Sequence, residues 1–222
     1  MKQTLLLIIC LALVGCAAVQ PKKAPTVQRK KLTVKEQQQA SLKLFKKILQ
    51  VAEQKGDSPD ALQERIRLLK EMARKYPDAP LSQEAYWHII NIYLNRYYPP
   101  KVDEAEQTYK EFLKEYPDSP MKSAIESTFN LFYFQHKMWD KLEALHRQRI
   151  KHFIETGSID SPFYFYMYSL AEMKLGRLNE AEKGFKWIIL KYPNTQAAKD
   201  AARQLETLEK LKYPTGGTNG RP

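Results

Sequence analysis

Lys75-Tyr76-Pro77-Asp78-Ala79-Pro80 returns as Glu115-Tyr116-Pro117-Asp118-Ser119-Pro120, and again as Lys191-Tyr192-Pro193-Asn194-Thr195. Tyr76 and Tyr116 are 40 residues apart, and Tyr116 and Tyr192 are 76 apart, twice 38. A period in the high thirties indicates stacked pairs of helices. The middle copy belongs near His152-Phe153-Ile154, where the proline is gone. In each copy the aromatic packs the end of one helix. Proline cannot continue that helix, and it drives the preceding residue out of the α region. The Asp, Asn or Ser that follows can cap the next helix through its side-chain oxygen.

Working outward, the segment between two such marks carries a second signal. Leu175-Gly176-Arg177-Leu178 makes a tight turn, Ala181 lets two helices approach, and Phe185 fills the groove one turn later. Val102, Ala105 and Tyr109 repeat this spacing, after a loop lengthened by Tyr97-Tyr98-Pro99-Pro100. Trp139 to Leu142 is a weaker copy, with Leu142 where alanine is expected. Ser119-Pro120 and Ser161-Pro162 read as N-cap plus first helical residue. Thr33-Val34-Lys35-Glu36 reads as a capping box. The expected fold is all-α, with helices near 33–55, 59–75, 80–97, 101–115, 120–136, 138–154, 162–175, 178–191 and 195–212. Such an array buries a continuous core between neighbouring pairs.

The N-terminus has a different character. Lys2 precedes the apolar run Leu5 to Leu13, which closes on Leu13-Val14-Gly15-Cys16. A charged start, an apolar segment of about ten residues and small residues at the end describe a secretory signal. The run falls short of the roughly 20 apolar residues a membrane span needs. The only other cysteine, Cys10, lies inside that signal, so disulfide, thiolate-metal and cysteine-nucleophile chemistry is not expected of the mature chain. The division is therefore signal peptide 1–15, Cys16 and a basic tether 16–32, helical repeats 33–212 and a tail 213–222. Pro21, Pro25 and five cations with no acid give the tether too little apolar surface to fold. Its basic character suits anionic head groups.

Leu13-Val14-Gly15-Cys16 resembles a bacterial lipobox. Together with the Tyr-Pro copies, it makes the chain similar to the envelope tetratricopeptide lipoproteins related to BamD, the outer-membrane protein assembly lipoprotein, and to CpoB/YbgF. The segment Lys191 to Ala201 is especially similar to the last BamD repeat. The resemblance implies a tetratricopeptide-like α-solenoid. It also implies a lipid anchor on Cys16 and, from Ala17 at the second mature position, the periplasmic face of the outer membrane. The implied work is protein–protein docking in envelope assembly, with the β-barrel assembly machine as the favoured partner. The chain departs from BamD in its degenerate third repeat, its longer second loop and its about four and a half repeats against five. The alternatives are a pilotin-like role in secretin or type IV pilus assembly, or an accessory role at the cell wall or division machinery.

Net charge is +11 over 222 residues. In an exported protein that excess addresses lipid, acidic cell-wall polymer or an acidic protein face rather than nucleic acid. No catalytic, cofactor or metal site is expected, and no small-molecule substrate. Glu143 and His146 have the Glu-x-x-His spacing of di-iron bundles but no second pair, and read instead as a solvated helix face. Phe112, Phe129, Tyr133, Phe185 and Trp187 have core explanations. Phe163-Tyr164-Phe165-Tyr166-Met167-Tyr168 puts aromatics on every side of one helix, more than one core face can use. Trp87, Tyr97, Tyr98, Phe163 and Tyr166 are accordingly the candidate partner-binding residues, since exposed aromatics anchor interfaces.

Overall fold

A computed structural model describes residues 32–157 and 161–213. Cys16, the signal segment, the tether up to residue 31 and the tail from residue 214 lie outside the described residues.

The described residues form nine α-helices and no strand: α1 (Val34–Lys55), α2 (Pro59–Lys75), α3 (Pro80–Asn95), α4 (Val102–Glu115), α5 (Met121–Gln135), α6 (Trp139–Thr156), α7 (Pro162–Lys174), α8 (Leu178–Lys191) and α9 (Gln196–Lys212). This is the expected all-α, solenoid-like architecture. Helices pack mainly on their sequence neighbours; α3 also stacks on both α1 and α5, and α7 on α9. Consecutive helices approach closely except α4 and α5.

Local signals explain most helix ends. Thr33 and Glu36 close their box reciprocally: Glu36 N–H donates to Thr33 Oγ1 at 3.3 Å, and Thr33 N–H donates to Glu36 Oε2 at 2.7 Å. Ser161 caps α7, with Pro162 as its first residue. Ser119 Oγ accepts from Met121 N–H at 3.1 Å, and Pro120 already has right-handed helical angles one residue before α5. Tyr76, Tyr116 and Tyr192 end α2, α4 and α8 in non-helical conformations, as the residue before a proline must. Without a proline, α6 runs on to Thr156 and stops at Gly157, in the left-handed conformation that glycine adopts freely.

Two capping expectations are corrected. Asn194 does not cap α9, whose N-cap is Thr195, with Thr195 Oγ1 accepting from Ala198 N–H at 3.2 Å. Asp78 does not cap α3, whose N-cap is Ala79 with no side-chain bond. Asp78 instead accepts from Gln37 Nε2 at 2.8 Å while its N–H donates to Gln37 Oε1 at 3.1 Å, clasping the turn to α1. The clasp spans 41 residues. Two more bonds span the same 41: Trp87 Nε1–H to Thr128 Oγ1 (3.0 Å) and the Ser123–Tyr164 hydroxyl pair (3.5 Å). The spacing of these bonds is thus close to the sequence period of 38 to 40 residues.

The apolar core forms two clusters. The first runs from Ile48 through Phe112 and Phe129 to Leu142, and includes Met167 and Ala171 of α7. The second holds Ile150, Phe165, Leu170 and Met173, with Phe185, Ile188 and the α9 alanines. α7 therefore serves both cores, and Tyr166 packs against each. That is why its sequence is apolar all round: it has two apolar surroundings, one on each side.

Candidate protein-docking surfaces

The five aromatics singled out from the sequence do not converge. Trp87, on α3, is half-buried, and its indole N–H is already bonded to Thr128. Tyr97 is half-buried in the α3–α4 loop, stacked on Tyr93, with Lys101 Nζ 4.4 Å from its ring centre. Its neighbour Tyr98 is 100% exposed. Phe163 opens α7, 45% exposed and edge-on to Tyr164. Tyr166 lies between the two cores, 6.0 Å from the Phe185 ring, and burial raises its hydroxyl pKa. Among the described residues no hydrogen bond or ring contact joins any two of the Trp87, Tyr97–Tyr98 and α7 positions. Tyr98 and Phe163 are available to a partner; Trp87 and Tyr166 do structural work.

A concave apolar surface lies elsewhere. Ile150, Phe153 and Ile154 of α6, Phe165 and Tyr168 of α7 and Trp187 of α8 line a pocket of about 260 Å³, with Glu180 and Lys183 on its rim. Its geometry follows from two local departures. Gly184 lets α8 press on α7, since a Cβ there would sit 3.0 Å from Ser169 Cβ and 3.2 Å from Phe165 Cε1, with the Ser169 hydroxyl closer still. The lost proline lets α6 continue past the point where its counterparts stop, carrying Ile154 out to 75% exposure. Phe153 does what the tyrosines do in the intact copies, meeting Phe165 at 5.2 Å and Trp187 at 4.4 Å. The lost proline is visible in the sequence but the pocket is not, because the pocket's other walls come from α7 and α8.

A wider hollow of about 600 Å³ beside α9 is lined by Glu182, Glu206, Glu209, Lys210, Lys212 and Tyr213. Two of its charges pair: Lys212 Nζ is held by Glu182 and also, at 2.7 Å, by Asn179 Oδ1.

The buried polar groups form a band through α4, α5, α6 and α7. Glu126 accepts from the Tyr109 hydroxyl at 2.6 Å and pairs with Arg149, whose guanidinium also lies 4.3 Å from the Tyr164 ring centre. Glu106 accepts from the Tyr133 hydroxyl (2.7 Å) and Lys141 Nζ (2.6 Å). Burial, then these carboxylate bonds, pushes the Tyr109 and Tyr133 hydroxyls well above the usual phenol range. These long side chains fill the space where the α4 and α5 backbones stay apart.

The solvated-face reading of Glu143 and His146 is corrected by the same band. Both are buried, at 4% and 1% exposure. Glu143 pairs with Arg147, and His146 Nε2 sits 2.7 Å from Asn130 Oδ1. With Nε2–H as donor, Nδ1 is an acceptor with no partner. Burial, then the nearby Arg149 charge, lowers the His146 pKa to about 4, so the ring is neutral at pH 7. Among the described residues no group of three or more His, Cys, Asp and Glu is placed to hold a metal ion, and no helix is long and apolar enough to cross a membrane.

No protein-family model, curated protein or solved structure matches the chain.

Proposed function

We propose that this chain is a lipid-anchored helical-repeat scaffold that docks partner proteins at the periplasmic face of the outer membrane, in the assembly of β-barrel proteins. The observation that carries the docking role is the apolar pocket between α6, α7 and α8, with Ile154 exposed beside it. An apolar concavity with a few polar groups at its rim suits an apolar segment of a partner. An exposed isoleucine at its mouth has no packing role in the free protein.

The anchor and compartment rest on Leu13-Val14-Gly15-Cys16 and Ala17, and the barrel-assembly setting on the resemblance of the Tyr-Pro copies to tetratricopeptide lipoproteins of that machinery. In this reading the protein contributes position: Cys16 fixes one end, and the repeats hold a surface at a set distance. Affinity purification from detergent-solubilised membranes is expected to recover a large barrel protein. Ile154→Asp should reduce that recovery at least tenfold without changing the helical circular-dichroism spectrum. Recovery of secretin or pilus components alone would overturn the barrel-assembly reading. Unchanged recovery by Ile154→Asp would remove the pocket from it.

A further inference from the structure

The net charge is not spread evenly. Residues 1–75 hold sixteen Lys and Arg against six Asp and Glu, a net +10 of the chain's +11. The remaining 147 residues hold twenty against nineteen. The excess thus lies in the anchor-proximal third, in the tether and in α1 and α2.

Within the fold, α1 carries a large part of that charge. Gln37, Ser41 and Ile48 form its buried face. On the outer face lie Lys35, Lys43, Lys46 and Lys47, together with Leu42 and Leu49, which are 48% and 53% exposed. Leu42 and Leu49 are seven residues apart, hence on one side of the helix. Neither belongs to the core clusters, whereas Leu44, Phe45 and Val51 of the same helix pack against the first. Among the described residues, none of these four lysines forms an ion pair, although Lys47 lies near enough to Glu64 of α2 to help Arg67 lower its carboxyl pKa. On α2, Arg67 and Lys75 are tied to Glu64 and Glu71, whereas Lys70 and Arg74 are exposed and, among the same described residues, without an ion pair. A helix with leucines and unpaired lysines on its outward face has the chemistry of an interfacial helix.

We infer that the outer face of α1 lies against an anionic bilayer, its lysines among the head groups and Leu42 and Leu49 at the acyl boundary. The inference rests on the lipid anchor of the proposed function. Only 16 residues lie between Cys16 and Thr33. A chain of that length reaches at most about 60 Å, which bounds the distance from Thr33 to the surface that holds Cys16. Tethering supplies a high effective concentration, so a face too weak to bind from solution binds when anchored. Each lysine brought near an anionic surface strengthens binding roughly fivefold. The consequence is that α1, and not the near-neutral C-terminal repeats, meets the membrane.

The test uses the full lipidated protein in vesicles of phosphatidylcholine alone, or of phosphatidylcholine with 30% phosphatidylglycerol. Leu42→Cys carries an environment-sensitive fluorophore, and Leu190→Cys on α8, 74% exposed, is the control. On anionic vesicles the probe at 42 should shift to the blue and be quenched by nitroxide lipids at least fivefold more than the probe at 190. The difference should vanish in 0.5 M salt, on neutral vesicles, and with Lys35, Lys43, Lys46 and Lys47 changed to Gln. A water-exposed probe at 42 on anionic vesicles, or equal quenching at both sites, would overturn the inference. Shielding at 42 that occurs only in native membranes would assign the face to an acidic protein, which overturns it too. Flotation with neutral vesicles reports the anchor separately, so failure of the lipoprotein reading is told apart from failure of the α1 face.

Discussion

The α7–α8–α9 stack and the α4–α5 joint hold the same kind of repeat together by opposite means. Between α7 and α8, small residues bring the backbones into contact: Gly184 against Ser169, with Ala171 and Ala181 fully buried nearby. α9 joins through Ala197, Ala198 and Ala201. At the joint the helices stand apart and are bridged by Tyr109, Glu126, Tyr133 and Glu106. Close packing draws on dispersion and apolar burial, which are insensitive to pH and salt. A bridge of buried carboxylates and phenols depends on every partner being present in the right protonation state. The two regions should therefore fail under different insults.

Overfilling the close-packed stack is the harshest way to break it. Gly184→Leu has no room for its Cβ, let alone the rest of the side chain, unless α8 moves off α7. We expect a loss of about 3 kcal/mol, measured by urea denaturation. A loss below 1 kcal/mol would show that the stack is looser than its geometry implies. Removing the bridge should cost slightly less. Glu126→Ala deprives the Tyr109 hydroxyl of its acceptor and Arg149 of this carboxylate. Truncating one partner of a buried pair costs roughly 3–5 kcal/mol, discounted here to about 2–3 because Arg149 is 20% exposed. Hydrogen exchange should rise first in α5 and α6 and leave α8 and α9 protected; uniform loss would erase the distinction between the regions.

Acid should separate the regions most gently. His146 has a lowered pKa in the folded chain, about 4 against an ordinary 6.5, so the unfolded chain binds the proton more readily. Its neutral ring suits the fold fully above pH 6.5, and stability falls as pH drops from there towards 4. At pH 5 the loss is about 2 kcal/mol. His146→Gln, which keeps a polar group near Asn130, should flatten the pH 7 to pH 5 difference in denaturation midpoint. An unchanged difference would mean that other groups carry the acid sensitivity.

Much of this fold is legible along the chain because its punctuation is local. A Tyr-Pro pair, a serine before proline or a Thr-x-x-Glu box acts within four residues, and the observed helix ends lie within two residues of those expected. The candidate surface was less legible. Trp87 looks like an interface residue until Thr128, 41 residues away, is found bonded to its indole. His146 and Glu143 look solvated because their helix is rich in charge, and only packing against α5 and α7 buries them.

The sequence by itself determined nine helices, the caps at Thr33 and Ser161 and the period at which the helices stack, since each depends on backbone chemistry within a turn or on spacing. It also showed that α7 was too apolar for one core face. Only the tertiary structure decided that α7 separates two cores, that Asp78 clasps α1 instead of capping α3, and that α4 and α5 are held apart by a buried polar band. Those outcomes depend on partners 16 to 41 residues distant. Which of several polar groups meets which at such range is set by how the helices pack, and no local preference encodes it.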